Sequence, residues 1–261
     1  MIKVLITGTN GYIGNQLTKK LQGNITCINR QICDLTNTTA VDNFFNEKYF
    51  DIVIHCAMVG GSRLKIDTDN VFYDNVLMFL NLVKNRNSFG RLIHFGSGAQ
   101  YRTKNYLNEG YGCSKRIIAS IINELDEFYN IVIYGLFDEN EISTRFIKSC
   151  VNSCLNNNKI EVHENKVMDF FHMDDLVTVV EHYINDKGPN KSIECCYDKR
   201  MTLKDIAYKI RDICKSDVDV DYTETELRYY AGENTDYINN IISGNFLDRL
   251  EENVNKLIEM R

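Results

Sequence analysis

The amino-acid sequence predicts an α/β fold built on a doubly wound parallel sheet. Up to Asp138, five apolar runs of strand length alternate with four segments of helical spacing. The first run, Ile2–Thr7, is continuous and ends in glycine, as expected for a strand covered on both faces. Because strands that alternate with helices form right-handed βαβ units, this order favours a parallel sheet with helices on both sides.

Each element of this first part has its own pattern. Tyr12–Leu21 has helical spacing with its apolar residues on one face. A helix that runs to Phe45 can be capped by Asn37 or Thr38. The remaining predicted strands are Ile25–Asn29, Asp51–His55, Arg91–Phe95 and Ile131–Tyr134. The remaining predicted helices are Val71–Asn85 and Tyr111–Phe128.

The regular alternation weakens beyond Asp138. Helices are predicted at Arg145–Leu155, at Asp174–Ile184 before Gly188-Pro189, and at Leu203–Ile213, and short strands at Lys159–His163 and Ser192–Cys196. We therefore expect a first domain over residues 1–138, to which about 168–198 return, and a smaller substrate-binding lobe, mainly 139–261. The lobe is expected over the carboxyl edge of the sheet, where folds of this kind bind ligands.

Composition excludes several classes of protein. The chain has 261 residues, 44% of them hydrophobic and 25% charged, and its net charge is −6. These are globular values without the basic excess of a nucleic-acid binder. The nine cysteines lack zinc-type spacing and are expected to be reduced thiols, so no metal site is predicted. No apolar run approaches a membrane helix or a signal peptide, and we expect a cytoplasmic protein that does not enter the membrane.

A glycine turn joins the first strand to the first helix. Its segment Gly8-Thr-Asn10-Gly11-Tyr12-Ile13-Gly14 has the pattern Gly-x-x-Gly-x-x-Gly. Glycine permits a tight turn and a close approach of phosphate, and a helix N-terminus offers free N–H groups to a pyrophosphate. The position between a buried strand and a helix favours a dinucleotide site over a glycine turn without a nucleotide.

The end of the second strand bears on which dinucleotide binds. NAD sites usually have a carboxylate here, whereas NADP sites favour an arginine for the 2′-phosphate. Residues 29–31 contain no Asp or Glu, and Arg30 is available. NADPH is therefore favoured over NAD, with a solvated loop residue as the alternative role of Arg30.

Several segments together resemble the extended short-chain dehydrogenases/reductases, the NAD-dependent epimerase/dehydratase family, and within it the sugar-nucleotide reductases. They occur in the family's order over about residues 1–210, although Arg102 replaces a family glycine. The resemblance implies a Rossmann-type fold and cofactor contacts from Asp34, Leu35, Cys56 and Ala57. The segments are the glycine turn, Asp34-Leu35, His55-Cys56-Ala57 with Gly60-Gly61, Phe95–Tyr101, Tyr111-Gly-Cys-Ser-Lys115 and Phe170–Asp175.

The resemblance implies catalytic roles for Ser97, Tyr111 and Lys115. Ser97 would hold the substrate oxygen, and Tyr111 would exchange its proton. Lys115 would lower the tyrosine pKa from its usual value of about 10 and bond the nicotinamide ribose. Tyr183 and Lys187 have the same Tyr-x-x-x-Lys spacing, but Tyr111 begins a helix directly after the serine-bearing strand and is therefore preferred.

The residues after Ser97 distinguish related reactions. Gly98 and Ala99 stand where dehydratases of the family have an Asp-Glu pair, so 4-keto reduction of a nucleotide-activated (deoxy)hexose with NADPH is predicted. A 4-epimerase with bound NAD is the alternative, and an NADP-binding sensor or scaffold without turnover is the alternative outside enzymes. Ser97, Gly98 and Arg145 are candidate substrate contacts, although Arg145 also suits a solvated helix face. The family also implies a homodimer formed by the helices Val71–Asn85 and Tyr111–Phe128.

Overall fold

The structure is a computed structural model that describes residues 1–62, 67–68, 70–101, 110–186, 188 and 190–261. Arg102, Lys187 and Pro189, which the sequence analysis singled out, lie outside the described residues. Within the described part, no helix is long and apolar enough to span a bilayer.

The described residues form twelve strands and eight α-helices. In chain order the strands are β1 Lys3–Thr7, β2 Asn24–Ile28, β3 Phe50–His55, β4 Phe89–Ser97, β5 Phe128–Ile133, β6 Leu136–Phe137, β7 Ile160–Val162, β8 Lys166–Met168, β9 Phe171–His172, β10 Ser192–Cys195, β11 Val220–Tyr222 and β12 Arg228–Tyr230. The helices are α1 Tyr12–Lys20, α2 Thr38–Phe45, α3 Asn70–Lys84, α4 Gly110–Glu124, α5 Phe146–Leu155, α6 Met173–Asn185, α7 Leu203–Ile213 and α8 Phe246–Glu259.

The central sheet has six strands in the order β10-β5-β4-β3-β1-β2. β1 pairs in parallel with β2 and β3, and β3 pairs in parallel with β4. The strand order reverses at β1, where the chain moves from the β2 edge to the other side of the sheet. This confirms the predicted α/β fold with a doubly wound sheet of the Rossmann type.

One face of the sheet packs against α3 and α4. Leu5, Val53 and Leu92 lie side by side across β1, β3 and β4 and are fully buried. They belong to one core cluster with Phe79 of α3 and Ile118 of α4. Each buried aliphatic or aromatic side chain of this kind contributes about 1.5–3 kcal/mol to folding. The core therefore fixes the strands whose carboxyl ends carry the predicted site residues.

The contacts divide the chain into two compact units. The first comprises residues 1–132 and 180–193, and the second comprises residues 133–179 and 194–261. The segment that returns to the first unit is residues 180–193. It contributes Ser192 and Ile193, the first half of β10, which lies beside β5 in the sheet.

The second unit is built on paired short strands and three helices of its own. The pairs β7–β11, β8–β12 and β6–β9 are all parallel. Its last helix, α8, was not anticipated, because the sequence analysis ended its elements at Ile213. The Asn245 side chain caps α8 by accepting from the Asp248 N–H at 3.1 Å, and α8 buries an apolar stripe that includes Leu250 and Val254.

One predicted boundary was wrong. The helix expected over Tyr111–Phe128 ends at Glu124, and Phe128 is the first residue of β5. Leu125 and Phe128 continue the apolar spacing of the helix, which made the helix look longer than it is. Glu127 has a φ of 59°, a left-handed conformation that a continuing helix does not allow. The apolar spacing thus runs past the turn into the strand.

Candidate active site

The glycine turn brings three backbone segments into close contact. Gly8 has a φ of 67°, and a Cβ atom there would lie 2.5 Å from the backbone nitrogen of Ala57. The Gly11 N–H donates to the Gly8 carbonyl at 3.0 Å. A Cβ atom on Gly14 would lie 2.5 Å from the same carbonyl oxygen. Gly8 and Gly14 therefore allow contacts within the protein, whereas a Cβ on Gly11 would have only one neighbour, at 3.3 Å.

A cleft opens beside this turn in the first unit. Its lining contains eight residues that the sequence analysis assigned to a cofactor: Gly8, Asn10, Gly11, Arg30, Asp34, Leu35, Cys56 and Ala57. Four other assigned residues do not line it: Tyr12, Ile13, Gly14 and Lys115. The lining that the sequence analysis did not assign includes Asn29, Gln31, Thr36, Asp74 and Met78. Asp74 and Met78 are four apart on α3, and that spacing on a helix beside the sheet was the available signal.

Polar side chains organise the end of β2. The Asn29 side-chain oxygen accepts from the N–H groups of Gln31 and Ile32 at 3.0 and 3.2 Å. Arg30 pairs with Asp34 at 3.1 Å, and the arginine side chain is 70% exposed. Such an exposed ion pair contributes little to stability, so the guanidinium is free to exchange partners. Arg30 thus lies on the cleft, held only by a weak contact.

Two buried histidines lie behind the cleft on neighbouring strands. His55 and His94 are opposite each other on β3 and β4, with ring centroids 5.3 Å apart. His55 Nδ1 lies 3.0 Å from the Thr7 hydroxyl, which accepts from the Ala57 N–H at 3.2 Å. Burial lowers the pKa of His55 to about 3 and the pKa of His94 well below its usual value, and the Lys115 charge acts in the same direction. Both rings are therefore neutral, and within the part of the chain that the structure describes only His55 of the two makes a hydrogen-bond contact, with Thr7.

Ser97 ends β4 and is largely buried. Its hydroxyl accepts from the Ala99 N–H at 3.2 Å, and its own N–H donates to the Gln100 side chain at 3.4 Å. Gly98, a predicted substrate contact, is buried at the start of the short 3₁₀ turn formed by Gly98–Tyr101. The serine is thus fixed at the carboxyl end of its strand by the turn that follows it.

Tyr111 and Lys115 lie one turn apart at the start of α4. Lys115 Nζ lies 5.5 Å from the centroid of the Tyr111 ring. The same ammonium donates to the carbonyl of Phe95, two residues before Ser97. Burial lowers the pKa of Lys115 to about 7, against a smaller opposing effect of Cys56. A buried amine next to a tyrosine at the end of the serine-bearing strand is suited to proton transfer.

A buried hydrogen-bond network ties the start of α4 to the loop after β3. Asn75 of α3 accepts from the Val59 N–H at 2.9 Å and donates to the Val59 carbonyl at 3.0 Å. It also donates to the Ser114 hydroxyl at 3.1 Å, and Ser114 donates to the Tyr111 carbonyl at 2.7 Å. Asn75 and Ser114 are fully buried. Neither residue could be identified from the sequence, because their role depends on contacts between three separate elements.

Gly61 in that loop lies against the tyrosine ring. It has a φ of 71°, and a Cβ atom on it would lie 2.8–2.9 Å from three ring carbons of Tyr111. Its N–H donates to Asp67 at 2.9 Å. The glycine therefore allows the loop to cover one face of the ring, and it limits where the ring can lie.

The remaining predicted residues lie elsewhere. Tyr183 is fully buried on α6 and donates to the Asn190 carbonyl at 3.2 Å. Its ring packs on Tyr129 with centroids 5.0 Å apart, which is a structural role. Arg145 belongs to the second unit, where it is exposed and precedes α5 as its N-cap. Burial raises the pKa of its neighbour Glu141 to about 8, an effect that the Arg145 charge reduces.

Comparison with known proteins places these features in a wider group. A model of the NAD dependent epimerase/dehydratase family matches residues 4–196 of the chain. Among curated proteins, Protein CapI of Staphylococcus aureus is 26% identical in a match that covers 73% of this chain and 72% of CapI.

Solved structures share the fold over nearly the whole chain. A GDP-mannoheptose C4 reductase from Campylobacter jejuni, solved with NADP bound, has a TM-score of 0.80 at 19% identity, covering 99% of this chain and 98% of that one. A dTDP-4-dehydrorhamnose reductase from Clostridium acetobutylicum has a TM-score of 0.79 at 24% identity, covering 98% and 100%. At these identities the likeness shows the fold alone.

Proposed function

The chain belongs to the NAD-dependent epimerase/dehydratase family, and from that premise we propose that it reduces the 4-keto group of a nucleotide-activated (deoxy)hexose with NADPH. The observation that carries the proposal is the position of Lys115. Its buried ammonium is bonded to β4 two residues before Ser97 and lies 5.5 Å from the Tyr111 ring. An arrangement of this kind supports proton transfer at the end of a parallel strand, where ligands of such folds bind.

The residues of the cleft fit a dinucleotide. The glycine turn would hold the pyrophosphate at the N-terminus of α1, where Gly11 leaves room that a side chain would fill. Asp34 and Leu35 would contact the adenine, and Cys56 and Ala57 would follow the cofactor along the end of β3. When bound, NADPH supplies the hydride for the carbonyl carbon.

The chain's own residues would control the proton. The Ser97 hydroxyl would donate a hydrogen bond to the carbonyl oxygen of the substrate and orient it. Tyr111 would give its phenolic proton to that oxygen as negative charge develops there. The Lys115 ammonium would stabilise the phenolate that remains and so lower the tyrosine pKa. Gly61 and Asn75 would keep the ring and its helix in position.

The residues after Ser97 support reduction as the reaction. Gly98 and Ala99 carry no ionisable group for the elimination of water or for epimerisation next to the carbonyl. The two solved proteins named above are a C4 reductase and a 4-dehydro-sugar reductase of nucleotide-linked sugars, which also supports this assignment. Arg145 in the second unit remains a candidate partner for the diphosphate of the substrate.

The direct experiment follows the absorbance of reduced nicotinamide while the protein is offered NADPH and a panel of nucleotide-linked 4-keto-6-deoxy sugars. Oxidation that requires one of these sugars is the expected result and identifies the substrate class. If no cofactor is consumed, but the purified protein carries NAD and interconverts two 4-epimers, the proposal is wrong and the protein is an epimerase. Cofactor binding without either reaction would identify a sensor or scaffold.

Arg30 tests the preference for NADPH. If its guanidinium binds the 2′-phosphate, Arg30→Ala should weaken NADPH binding about tenfold, the usual size of a lost charged hydrogen bond, and leave NADH binding unchanged. Titration calorimetry with both cofactors measures this difference. An equal effect on the two cofactors would return Arg30 to the role of a solvated loop residue.

We also propose that the protein is a homodimer in the cytoplasm. Large apolar side chains of α3 and α4 are exposed: Tyr73 at 69%, Leu77 at 39%, Leu80 at 43% and Ile117 at 40%. Exposed apolar groups on two adjacent helices are typical of a subunit interface. All nine cysteines are unbridged, which supports a reducing compartment. Light scattering should give a dimer mass, and Leu77→Glu should give a monomer.

A further inference from the structure

The turn that follows Ser97 is tied to α4 by an arginine that has no role in the proposed reaction. Arg116 is the residue after Lys115 and is half-buried. Its Nε atom donates to the Gln100 carbonyl at 2.7 Å. Gln100 lies in the 3₁₀ turn Gly98–Tyr101, which packs against α4. A short bond from a guanidinium to a backbone carbonyl is charge-assisted, so it holds the turn firmly on the helix.

The Gln100 side chain reaches back from this turn to the serine. Its amide oxygen accepts from the Ser97 N–H at 3.4 Å, and only 5% of Gln100 is exposed. A Cβ atom on Gly96 would lie 2.9 Å from that oxygen, so the glycine leaves the space that the amide occupies. The Ala99 N–H donates to the Ser97 hydroxyl oxygen at 3.2 Å. A buried backbone N–H needs an acceptor, and Gln100 supplies one where the strand ends and the turn begins.

Two neighbouring cations of α4 therefore hold the serine segment at two points. Lys115 donates to the Phe95 carbonyl, two residues before Ser97. Arg116 donates to the Gln100 carbonyl, three residues after the serine. Because consecutive residues of an α-helix are directed about 100° apart, the two bonds approach the segment from different directions. Together they fix the serine relative to the helix that also carries the tyrosine of the proposed reaction.

We propose that Arg116 and Gln100 are positioning residues, which hold the Ser97 hydroxyl where it and Tyr111 can both reach one carbonyl oxygen of the substrate. This inference rests on the proposed function, because it takes the roles of the serine and the tyrosine from there. Arg116 and Gln100 are not among the described residues that line the cofactor cleft, so neither should affect cofactor binding. A hydroxyl displaced by about 1 Å would donate poorly to the developing oxyanion, which can lower the rate up to about a hundredfold.

Steady-state kinetics of the full-length protein, with NADPH and a nucleotide-linked 4-keto-6-deoxy sugar that the parent protein reduces, test the proposal. Arg116→Met removes the charged donor and keeps the apolar stem, and Gln100→Met removes the acceptor at similar length. Each should lower kcat about tenfold and leave the dissociation constant of NADPH unchanged. Arg116→Lys keeps a cation and should recover part of the lost rate. Melting curves establish that each variant is folded.

Arg86→Met is the matched control. Arg86 also donates to a backbone carbonyl, that of Val83 at 3.5 Å, but it precedes β4, whereas Ser97 ends that strand. This variant should keep the full kcat. A kcat equal to that of the parent protein in both Arg116→Met and Gln100→Met would overturn the proposal.

The Ser97→Ala background separates positioning of the serine from any other role of the arginine. Ser97→Ala should itself lower kcat about 10²–10³-fold, the usual effect of removing a donor to an oxyanion. If Arg116 acts through the serine hydroxyl, Arg116→Met should lower kcat no further in this background, because the hydroxyl is already gone. The same tenfold loss in both backgrounds would mean that the arginine acts through another group, and the proposal would be wrong.

Hydrogen exchange of the cofactor-free protein, followed by mass spectrometry, gives a readout that does not depend on turnover. The amides of residues 97–101 should exchange about tenfold faster in Arg116→Met, whereas those of residues 8–14 should exchange as in the parent protein. Faster exchange in a protein that reduces none of the sugars would support the positioning of the serine and refute the proposed function. Unchanged exchange of residues 97–101 would overturn the inference even in an active reductase.

Discussion

Two regions lie at the carboxyl ends of strands in the same sheet: the glycine turn after β1, and the region of Ser97, Tyr111 and Lys115. The first depends on backbone contacts and the second on side-chain contacts. The turn is made of backbone, and its close contacts exclude side chains at Gly8 and Gly14. The other region depends on side chains, and burial lowers the pKa of Lys115 to about 7. Substitutions in the turn should therefore change packing and cofactor binding, whereas substitutions near Lys115 should change proton transfer and the pH dependence of stability.

The largest effect is expected at the tyrosine. Tyr111→Phe removes the proton donor and should lower kcat about 10²–10⁴-fold, the usual contribution of a general acid, while NADPH binding stays within a few-fold. Steady-state kinetics and fluorescence titration of the cofactor measure the two quantities.

Tyr183→Phe is the matched control, since Tyr183 begins the other Tyr-x-x-x-Lys segment. It should keep full activity and lose only about 1 kcal/mol of stability, with its bond to the Asn190 carbonyl. A large loss of kcat in Tyr183→Phe, with little in Tyr111→Phe, would reverse the assignment.

The next effect concerns the free energy of unfolding of the cofactor-free protein. The pKa of Lys115 is about 7 in the folded protein, whereas an unperturbed lysine has a pKa of 10.5. The unfolded state therefore binds more protons between these two pH values, and the free energy of unfolding rises with pH. Lys115→Met should remove this pH dependence, which amounts to about 5 kcal/mol across the whole window.

Urea unfolding of the parent protein and of Lys115→Met, at the two ends of that pH window, measures how the free energy of unfolding changes with pH. The variant should be more stable than the parent at the lower pH, and the difference should close at the higher pH. Lys48→Met is the control, since Lys48 lies over the Phe44 ring at the surface, 4.3 Å from its centroid. An unchanged slope in Lys115→Met would mean that the amine is solvated.

Within the glycine turn, two substitutions should separate packing from binding. Gly14→Ala places a Cβ 2.5 Å from the Gly8 carbonyl oxygen and should destabilise the protein by about 1–3 kcal/mol even without cofactor. Gly11→Ala meets the same oxygen at 3.3 Å and should spare stability but weaken NADPH binding about tenfold. Thermal melts and calorimetry test this; equal destabilisation by both changes would contradict the distinction.

The smallest effect is expected at Gly61, where the backbone of the loop after β3 touches the Tyr111 side chain. Gly61→Ala adds a methyl group in contact with the Tyr111 ring at a backbone φ of 71°. Displacing the ring should lower kcat about tenfold with cofactor binding unchanged. Gly110→Ala, whose Cβ has no neighbour closer than 3.4 Å, should be silent. If both variants keep full activity, contact with Gly61 does not position the ring.

The sequence predicted the first unit well because its elements depend on nearby residues. A buried strand such as β1 is one apolar run, and the glycines that follow mark its turn. What escaped prediction there are contacts between elements, such as Asn75 with Val59 and Ser114. No periodicity reveals that a helix polar group is directed inward towards a loop rather than outward to water.

The second unit was harder to predict for a physical reason. β6 and β9 pair with each other and have only two residues each. Two residues are too few to show the alternation of apolar and polar residues by which a strand is predicted. β7 pairs with β11, some sixty residues later. The substrate-binding role of this unit and of Arg145 stays a prediction.

The late return of β10 to the sheet has a consequence for synthesis. Residues 134–191 separate β5 from the strand that covers its edge. At roughly 5–20 residues per second, a ribosome needs about 3–12 seconds to make them. During that interval the growing chain carries β5, whose six residues are all buried in the finished protein, as an open sheet edge. Such an edge pairs readily with other chains, and this is where a chaperone acting on the nascent chain would find its target.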